Sequence, residues 1–166
     1  MPAEIALLPI VESGYDPLAR SASGARGLWQ IMTRTGRHYG LRRSAWFDGW
    51  LDLETSTNAA LNYLAELANK FEGDWLLALS AYNAGEGSIK ASIRKNKAAG
   101  GDGRYTSLNL NRETLVFVPK LIALRNIIRE PERFDISLPG FVPEIRFTKL
   151  DVAKPLRLET IARFCN

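Results

Sequence analysis

The stretch DWLLALSAYNAG, residues 74–85, decides how the rest of this chain folds. Asp74 has the side chain of a helix N-cap, and Gly85 supplies the permissive backbone with which helices commonly end. Between them, residues 75–82 place apolar or small side chains around the whole circumference of a helix. Such a helix is buried inside a domain, because a surface helix needs one polar face. The sequence therefore predicts a mainly α-helical protein built around this segment.

Helical patterns flank the central segment on both sides. Apolar residues recur at helical spacing over residues 58–71 and 112–129. In the second of these helices, Leu115 and Ile128 are expected on the inner face, and Pro119 is expected to bend the helix. Two shorter helices are predicted, one over residues 4–13 that closes at Gly14 and a basic one over residues 87–99.

The composition changes after Pro131. Prolines and β-branched or aromatic residues in the stretch 134–150 predict short extended segments, and residues 155–164 predict one small helix. We therefore predict a helical domain over residues 1–134 and a C-terminal extension over residues 135–166.

The composition excludes several classes of chemistry. The chain has 166 residues, of which 46% are hydrophobic and 24% charged, which is typical of one globular domain. Its only cysteine is Cys165 and its only histidine is His38, so an internal disulfide, a cysteine metal cluster and most histidine-dependent nucleophilic schemes are excluded. We expect no metal and no cofactor, and chemistry that uses carboxylates, hydroxyls and amides.

The charge and the apolar runs exclude two further kinds of partner. The net charge of +4 is too small and too diffuse for a dedicated nucleic-acid surface, although Arg34, Arg37, Arg42 and Arg43 lie near aromatic residues. The longest apolar run, residues 5–11, is far short of the roughly 20 residues of a membrane span. Because the first residues lack a positively charged region, we also expect no signal peptide in this sequence.

Two polar residues stand next to apolar stretches in the first part of the chain. Glu12 ends an apolar helix, where burial would raise its pKa and suit it to general acid catalysis. An exposed helix-terminal glutamate is the more common alternative. Gln30 lies between Trp29 and Ile31 in an expected helical turn. A buried amide of this kind hydrogen-bonds either to the local backbone or to a ligand such as a sugar.

Two further elements carry candidate groups in the second half of the domain. Tyr82 and Asn83 come at the end of the buried helix, which places them at a cavity edge where tyrosine can hold a sugar ring. Packing in the core is the alternative. Glu113 opens the last long helix, where the helix dipole by itself favours an acid.

Four ordered motifs give these residues a common context. The chain contains LLPIVESGYDP at residues 7–17, SASGARGLWQIM at 21–32, ALSAYNAGEG at 78–87 and ETLVFVPK at 113–120. In this order they resemble the lytic transglycosylases with a goose-lysozyme-like (SLT) catalytic domain, over about residues 5–134. Trp29 and the run Trp46-Phe47-Asp48 favour the membrane-bound D-type branch of that family.

The resemblance implies a fold and a set of roles. The fold is a lysozyme-like helical domain with a substrate groove, and Glu12 is its catalytic acid/base. Phe117 stands where the family usually has tyrosine, which removes a hydroxyl from the surroundings of Glu12. The residues implied to bind substrate are Ser13, Ser21, Gln30, Met32, Tyr82, Asn83 and Glu113.

The resemblance also implies cleavage of the β-1,4 bond between N-acetylmuramic acid and N-acetylglucosamine, with a 1,6-anhydromuramyl product. The residues themselves favour a single acid, since Asp16 beside Pro17 fits a turn, and Asp48 and Asp52 fit a helix start. A substrate that supplies its own nucleophile needs no second carboxylate. A goose-type lysozyme hydrolase and a non-catalytic peptidoglycan-binding module are the alternatives.

The same resemblance predicts the partners and the location. We expect peptidoglycan glycan strands as the partner, a monomer, and a place in the bacterial cell envelope. That place is the periplasm, with outer-membrane attachment through regions outside this sequence.

Overall fold

The computed structural model describes residues 1–140 and 154–164. The chain divides into two compact units, Met1–Ile136 and Ser137–Asn166. Short 3-10 helices cover Ala3–Leu7, Tyr105–Ser107 and Pro131–Phe134. The α-helices of the described residues are α1 (Leu8–Ser13), α2 (Thr33–His38), α3 (Leu53–Lys70), α4 (Trp75–Ala84), α5 (Glu86–Ala98), α6 (Arg112–Arg129) and α7 (Leu158–Phe164).

Helix α4 is the central element of the first unit, as its sequence predicts. Asp74 caps it by accepting hydrogen bonds from the backbone N–H groups of Leu76 and Leu77, and the helix ends at Gly85. Residues 77–81 are all buried, and α4 packs against α3, α5 and α6. Burial on all sides follows from the absence of a polar face.

The N-terminal helix runs as a 3-10 turn followed by α1. Pro9 lies in the first turn of α1, where its missing N–H is not needed. Gly14 ends the helix in the left-handed conformation with φ of 62°. The predicted closure at Gly14 is therefore confirmed, and it leaves Glu12 in the last turn of α1.

The segment 20–31 is a loop, so the expected helical turn around Gln30 is wrong. Backbone bridges join Arg20 to Arg26 and Arg26 to Ile31, and Gln30 takes a positive φ of 47°. A Cβ at Gly27 would collide with the backbone carbonyl of Trp50. Backbone pairing within the segment and the close contact of Gly27 with Trp50 fix this loop, and hydrophobic periodicity shows neither.

Helix α6 has the predicted bounds, with Pro119 inside it, but a different inner face. Its buried residues include Thr114, Phe117 and Val118, whereas Leu115 and Ile128 are 47% and 41% exposed. The expectation for these two residues is wrong: Leu115 lies outside the row of buried residues, and Ile128 lies in the last turn, beyond the last buried residue of the helix.

The second unit is described only in part. The predicted small helix is present as α7, and residues 135–140 form neither helix nor strand. Most of the expected extended segments, residues 141–150, and Cys165 lie outside the described residues. Within the described part of the chain, no helix is long and apolar enough to span a bilayer.

Candidate active site

Glu12 is a partly buried carboxyl group in the last turn of α1. Burial, together with the smaller effect of the negative charge of Glu113, raises its pKa from 4.5 to about 8. At pH 7 the protonated form therefore exceeds the ionised form about tenfold. A carboxyl group that keeps its proton at neutral pH can donate it to a substrate.

Glu12 faces a groove of about 650 Å³. This volume falls in the range of small-molecule sites. A second cavity of about 310 Å³ shares Gln30, Met32, Tyr82 and Asn83 with the first, so the two are parts of one groove. The first part is lined by Val11, Glu12, Ser21, Ser23, Ala25, Gln30, Met32, Tyr82, Asn83, Arg112, Glu113, Val116, Phe117 and Lys120.

Three consecutive backbone carbonyls in the 20–31 loop organise the side chains around Glu12. Gln30 Nε2 donates to the Gly27 carbonyl at 2.8 Å. The Ser13 hydroxyl donates to the Leu28 carbonyl at 2.8 Å, and the Tyr82 hydroxyl donates to the Trp29 carbonyl at 2.7 Å. One short segment therefore ties together α1, the loop itself and α4.

Ser13 is the one predicted substrate-binding residue that does not line the groove. Its hydroxyl also contacts the Pro9 carbonyl at 3.1 Å. Both acceptors are backbone groups of the protein, so this side chain holds the end of α1, and with it Glu12, against the loop. Ser21 does line the groove, and its hydroxyl accepts from the Ala25 N–H and lies 2.9 Å from the Ser23 hydroxyl.

Asn83 on α4 and Glu113 on α6 form a hydrogen-bonded pair in the groove lining. Asn83 Nδ2 donates to Glu113 Oε1 at 3.2 Å, and the hydroxyl of buried Thr114 donates to Asn83 Oδ1 at 2.7 Å. Asn111 caps α6 by accepting from the Thr114 N–H. The amide of Asn83 is thus fixed in orientation by its two neighbours on α6.

Tyr82 is half-buried and lines the same groove as Glu12. Burial raises the pKa of its phenol well above the usual value, and the charge of Glu12 acts in the same direction. Its ring also packs at 5.3 Å from the ring of Tyr63, which lines the second part of the groove. Phe117 lines the groove from α6, so an apolar ring occupies the position expected to carry a hydroxyl.

Sequence reasoning missed several groove residues. Arg112, Val116 and Lys120 follow each other at four-residue spacing on α6, and the structure places all three along the groove. Helical spacing from Glu113 could have predicted Val116 and Lys120, since residues three, four and seven apart share a face. No comparable sequence pattern indicated that Thr35 and Tyr63 line the second cavity.

The helical domain of this chain, with Glu12 in an open groove, has a lysozyme-like fold. The family model of the transglycosylase SLT domain matches residues 1–103. The chain belongs to this family, and both the predicted fold class and the family resemblance are confirmed.

Relatives and solved structures agree with this membership. The chain is 41% identical over 162 residues to membrane-bound lytic murein transglycosylase D of Escherichia coli, covering 98% of the chain and 36% of that relative. The soluble lytic murein transglycosylase of the same organism is 32% identical over 83 residues, which is 48% of this chain and 13% of that protein. The crystal structure of the 70 kDa soluble lytic transglycosylase of Escherichia coli superposes with a TM-score of 0.66 at 27% identity, covering 80% and 22% of the two chains. This chain thus spans little more than a third of the first relative's length.

Proposed function

We propose that this chain is the catalytic part of a peptidoglycan lytic transglycosylase, with the reaction carried by residues 1–134 and a C-terminal extension over residues 135–166. The observation that carries the proposal is Glu12, a carboxyl group that burial keeps protonated at neutral pH in a groove of sugar-binding size. The relatives named as murein transglycosylases support the same substrate class.

In the first step, Glu12 donates its proton to the oxygen of the β-1,4 bond between N-acetylmuramic acid and N-acetylglucosamine. The bond from this oxygen to C1 of the muramyl ring breaks, and positive charge develops on that ring. Carbonyl oxygen from the substrate's own acetamido group can stabilise this charge, as in substrate-assisted glycosidases. The departing N-acetylglucosamine leaves with the proton as a free hydroxyl.

In the second step, Glu12 acts as a carboxylate. It takes the proton from the muramyl 6-hydroxyl, whose oxygen attacks C1 and closes a 1,6-anhydro ring. The acid returns to its protonated state, and no water is consumed. A raised pKa serves both steps, because one group must donate and then accept a proton near neutral pH.

The polar residues of the groove supply recognition of the glycan. The amide nitrogen of Gln30 donates hydrogen bonds to the Gly27 and Ala19 carbonyls, so its amide oxygen is the group that would accept a hydrogen bond from a sugar. Asn83 and Glu113 offer a preset pair of polar groups, and Met32 and Phe117 offer apolar contact to the faces of sugar rings. We assign Ser21 to the same glycan-binding wall.

A hydrolase of the goose-lysozyme type is the second candidate, and one observation favours it. Glu113 lines the groove together with Glu12, so two carboxyl groups face the same space. Glycosidases that add water use such a pair, one acid to protonate the leaving oxygen and one carboxylate to activate water. The two reactions differ by one water molecule in the product.

The test is digestion of purified peptidoglycan followed by mass spectrometry of the released fragments. The proposal predicts muropeptides lighter by one water than hydrolysis products and without a reducing end. Glu12→Gln should lower the rate by at least about 100-fold, whereas Glu132→Gln, an exposed acid outside the groove, should not change it. Products with a reducing end would establish the hydrolase. Binding to sacculi without soluble product would establish a binding module.

The expected location follows from the substrate. We propose that the protein acts in the bacterial cell envelope, in the periplasm, and that it works as a monomer. The name of the first relative, a membrane-bound enzyme, supports an envelope location. Fractionation of cells that produce the natural full-length protein, followed by immunodetection, tests it.

A further inference from the structure

The segment 42–49 forms a tight hairpin that lies outside the groove lining and has no part in the proposed reaction. Arg43 and Asp48 form a backbone bridge, and the Gly49 N–H donates to the Arg42 carbonyl at 2.9 Å. The Ser44 N–H donates to the Phe47 carbonyl at 2.8 Å, which closes the turn.

The tip of this hairpin carries an exposed tryptophan. Trp46 is 97% exposed, whereas Trp29 and Trp50 are each 4% exposed and belong to the core. Phe47 beside it is also exposed. The Ser44 hydroxyl accepts hydrogen bonds from the N–H groups of Trp46 and Phe47, which holds both residues in the turn. A large aromatic side chain held outward by its backbone stabilises nothing in the domain and is suited to contact a partner.

The hairpin is attached to the wall of the groove. Asp48 Oδ2 pairs with Arg26 Nη2 at 2.8 Å, and Arg26 lies in the same loop as the groove residues Ala25 and Gln30. Gly27 of that loop packs closely against the Trp50 carbonyl just after the hairpin. Since Trp46 is two residues from Asp48, its Cα lies within about 7 Å of the Asp48 Cα.

Positive charge accompanies the aromatic tip. Arg42 lies in the hairpin, and Arg34 and Arg37 lie on α2, and all three are exposed. Helix α2 packs beside the hairpin, because Gly36 lies directly against the ring of Trp50. The surface therefore combines flat apolar area with cations that can pair with carboxylates.

We propose that the hairpin 42–49 is a second glycan contact outside the groove, where Trp46 stacks on a sugar ring and the neighbouring arginines meet the carboxylates of the attached peptides. The inference rests on the proposed function, and it requires that a glycan strand held in the groove extends along this wall as far as Trp46. The Arg26–Asp48 ion pair fixes the hairpin to the loop that carries the groove residues Ala25 and Gln30, which favours a glycan over other partners.

The first measurement compares the Trp46→Ala variant with the wild type in the digestion of long glycan strands and of short glycan fragments. The KM for long glycan strands should rise about 3- to 10-fold, with kcat unchanged and with unaltered kinetics on a fragment just long enough to fill the groove. Trp46→Tyr should restore most of the affinity, because it keeps a flat ring. Phe134→Ala, which removes another exposed aromatic side chain from the first unit, is the matched control and should leave KM and kcat unchanged for both substrates.

The second measurement separates this inference from the reaction. Trp46→Ala and Trp46→Tyr are combined with Glu12→Gln, and their sedimentation with purified sacculi is compared with that of Glu12→Gln alone. Weaker binding only in the Trp46→Ala double variant supports the contact even if the wild-type protein releases no product. Equal binding of all three overturns the inference and leaves the proposed function intact. Loss of binding to anionic lipid vesicles, with sacculus binding unchanged, assigns the hairpin to a membrane surface and also overturns it.

Discussion

The raised pKa of Glu12 makes the stability of the protein depend on pH in a specific way. The folded state holds this proton up to about pH 8, whereas an unfolded glutamate releases it near 4.5. Between these two values the folded state binds more protons, so the free energy of unfolding falls by about 1.4 kcal/mol for each step of one pH unit. The contribution is complete below pH 4.5 and is lost as the pH rises to about 8.

Glu12→Gln removes this dependence while keeping the shape of the side chain. At pH 4 the variant and the wild type should be nearly equally stable. At pH 7 the variant should be more stable by about 3 kcal/mol, because the wild type must then take up a proton to fold. The desolvated carboxyl group at the end of α1 is thus stabilising only when it is neutral.

The assay is urea denaturation followed by far-ultraviolet circular dichroism at intervals from pH 4 to pH 9. Glu132→Gln, which replaces an exposed acid, is the control and should keep the slope of the wild type. Parallel curves for Glu12→Gln and the wild type would refute the reasoning, since they would show that Glu12 ionises in the folded protein as it does in the unfolded chain.

Three further outcomes follow from the same contacts. The rate of glycan cleavage should fall above about pH 8 as Glu12 loses its proton. Glu113→Gln removes a nearby negative charge, so it should move this fall in rate to lower pH. A pH–rate profile in which the fall stays at the same pH would contradict the coupling of the two acids. Tyr82→Phe leaves a buried carbonyl without its donor and should cost about 1–3 kcal/mol in chemical denaturation; a change below 0.5 kcal/mol, on the order of the scatter between surface substitutions, would speak against it. Thr114→Val frees the amide of Asn83 and should raise KM more than it lowers kcat; steady-state kinetics with an unchanged KM would show that this amide needs no support.

Most of the helices were predictable from the sequence because their ends are encoded locally, although α2 was missed and α3 begins earlier than predicted. Asp74 and Gly85 mark the two ends of α4 with residue types that satisfy or terminate helix backbone, and the structure uses both in that way. The inner face of α6 was not predictable in the same manner. Leu115 is apolar and well spaced, yet it is neither buried nor part of the groove lining, whereas Val116 lines the groove. Hydrophobic spacing does not show which apolar residue of a helix meets core, groove or solvent.

The candidate site was predictable in its residues but not in its construction. Glu12, Gln30 and Tyr82 followed from position and resemblance, and the structure brings them to one groove. Their supports are backbone carbonyls of residues 27–29, which have no sequence signature because every residue carries a carbonyl. The positive φ of Gln30 also has no sequence signature, since it accompanies backbone bridges around Arg26 that hydrophobic periodicity does not indicate.

The construction also explains how a groove open to water can hold a protonated acid. The hydroxyls of Ser13, next to Glu12 in the sequence, and of Tyr82, which lines the same groove, donate to the carbonyls of Leu28 and Trp29. Donors that are already engaged cannot stabilise the carboxylate, and Phe117 contributes none. Burial and the charge of Glu113 therefore raise the pKa of Glu12 without opposition from these donors. A new free donor at this wall should lower that pKa rather than assist the reaction.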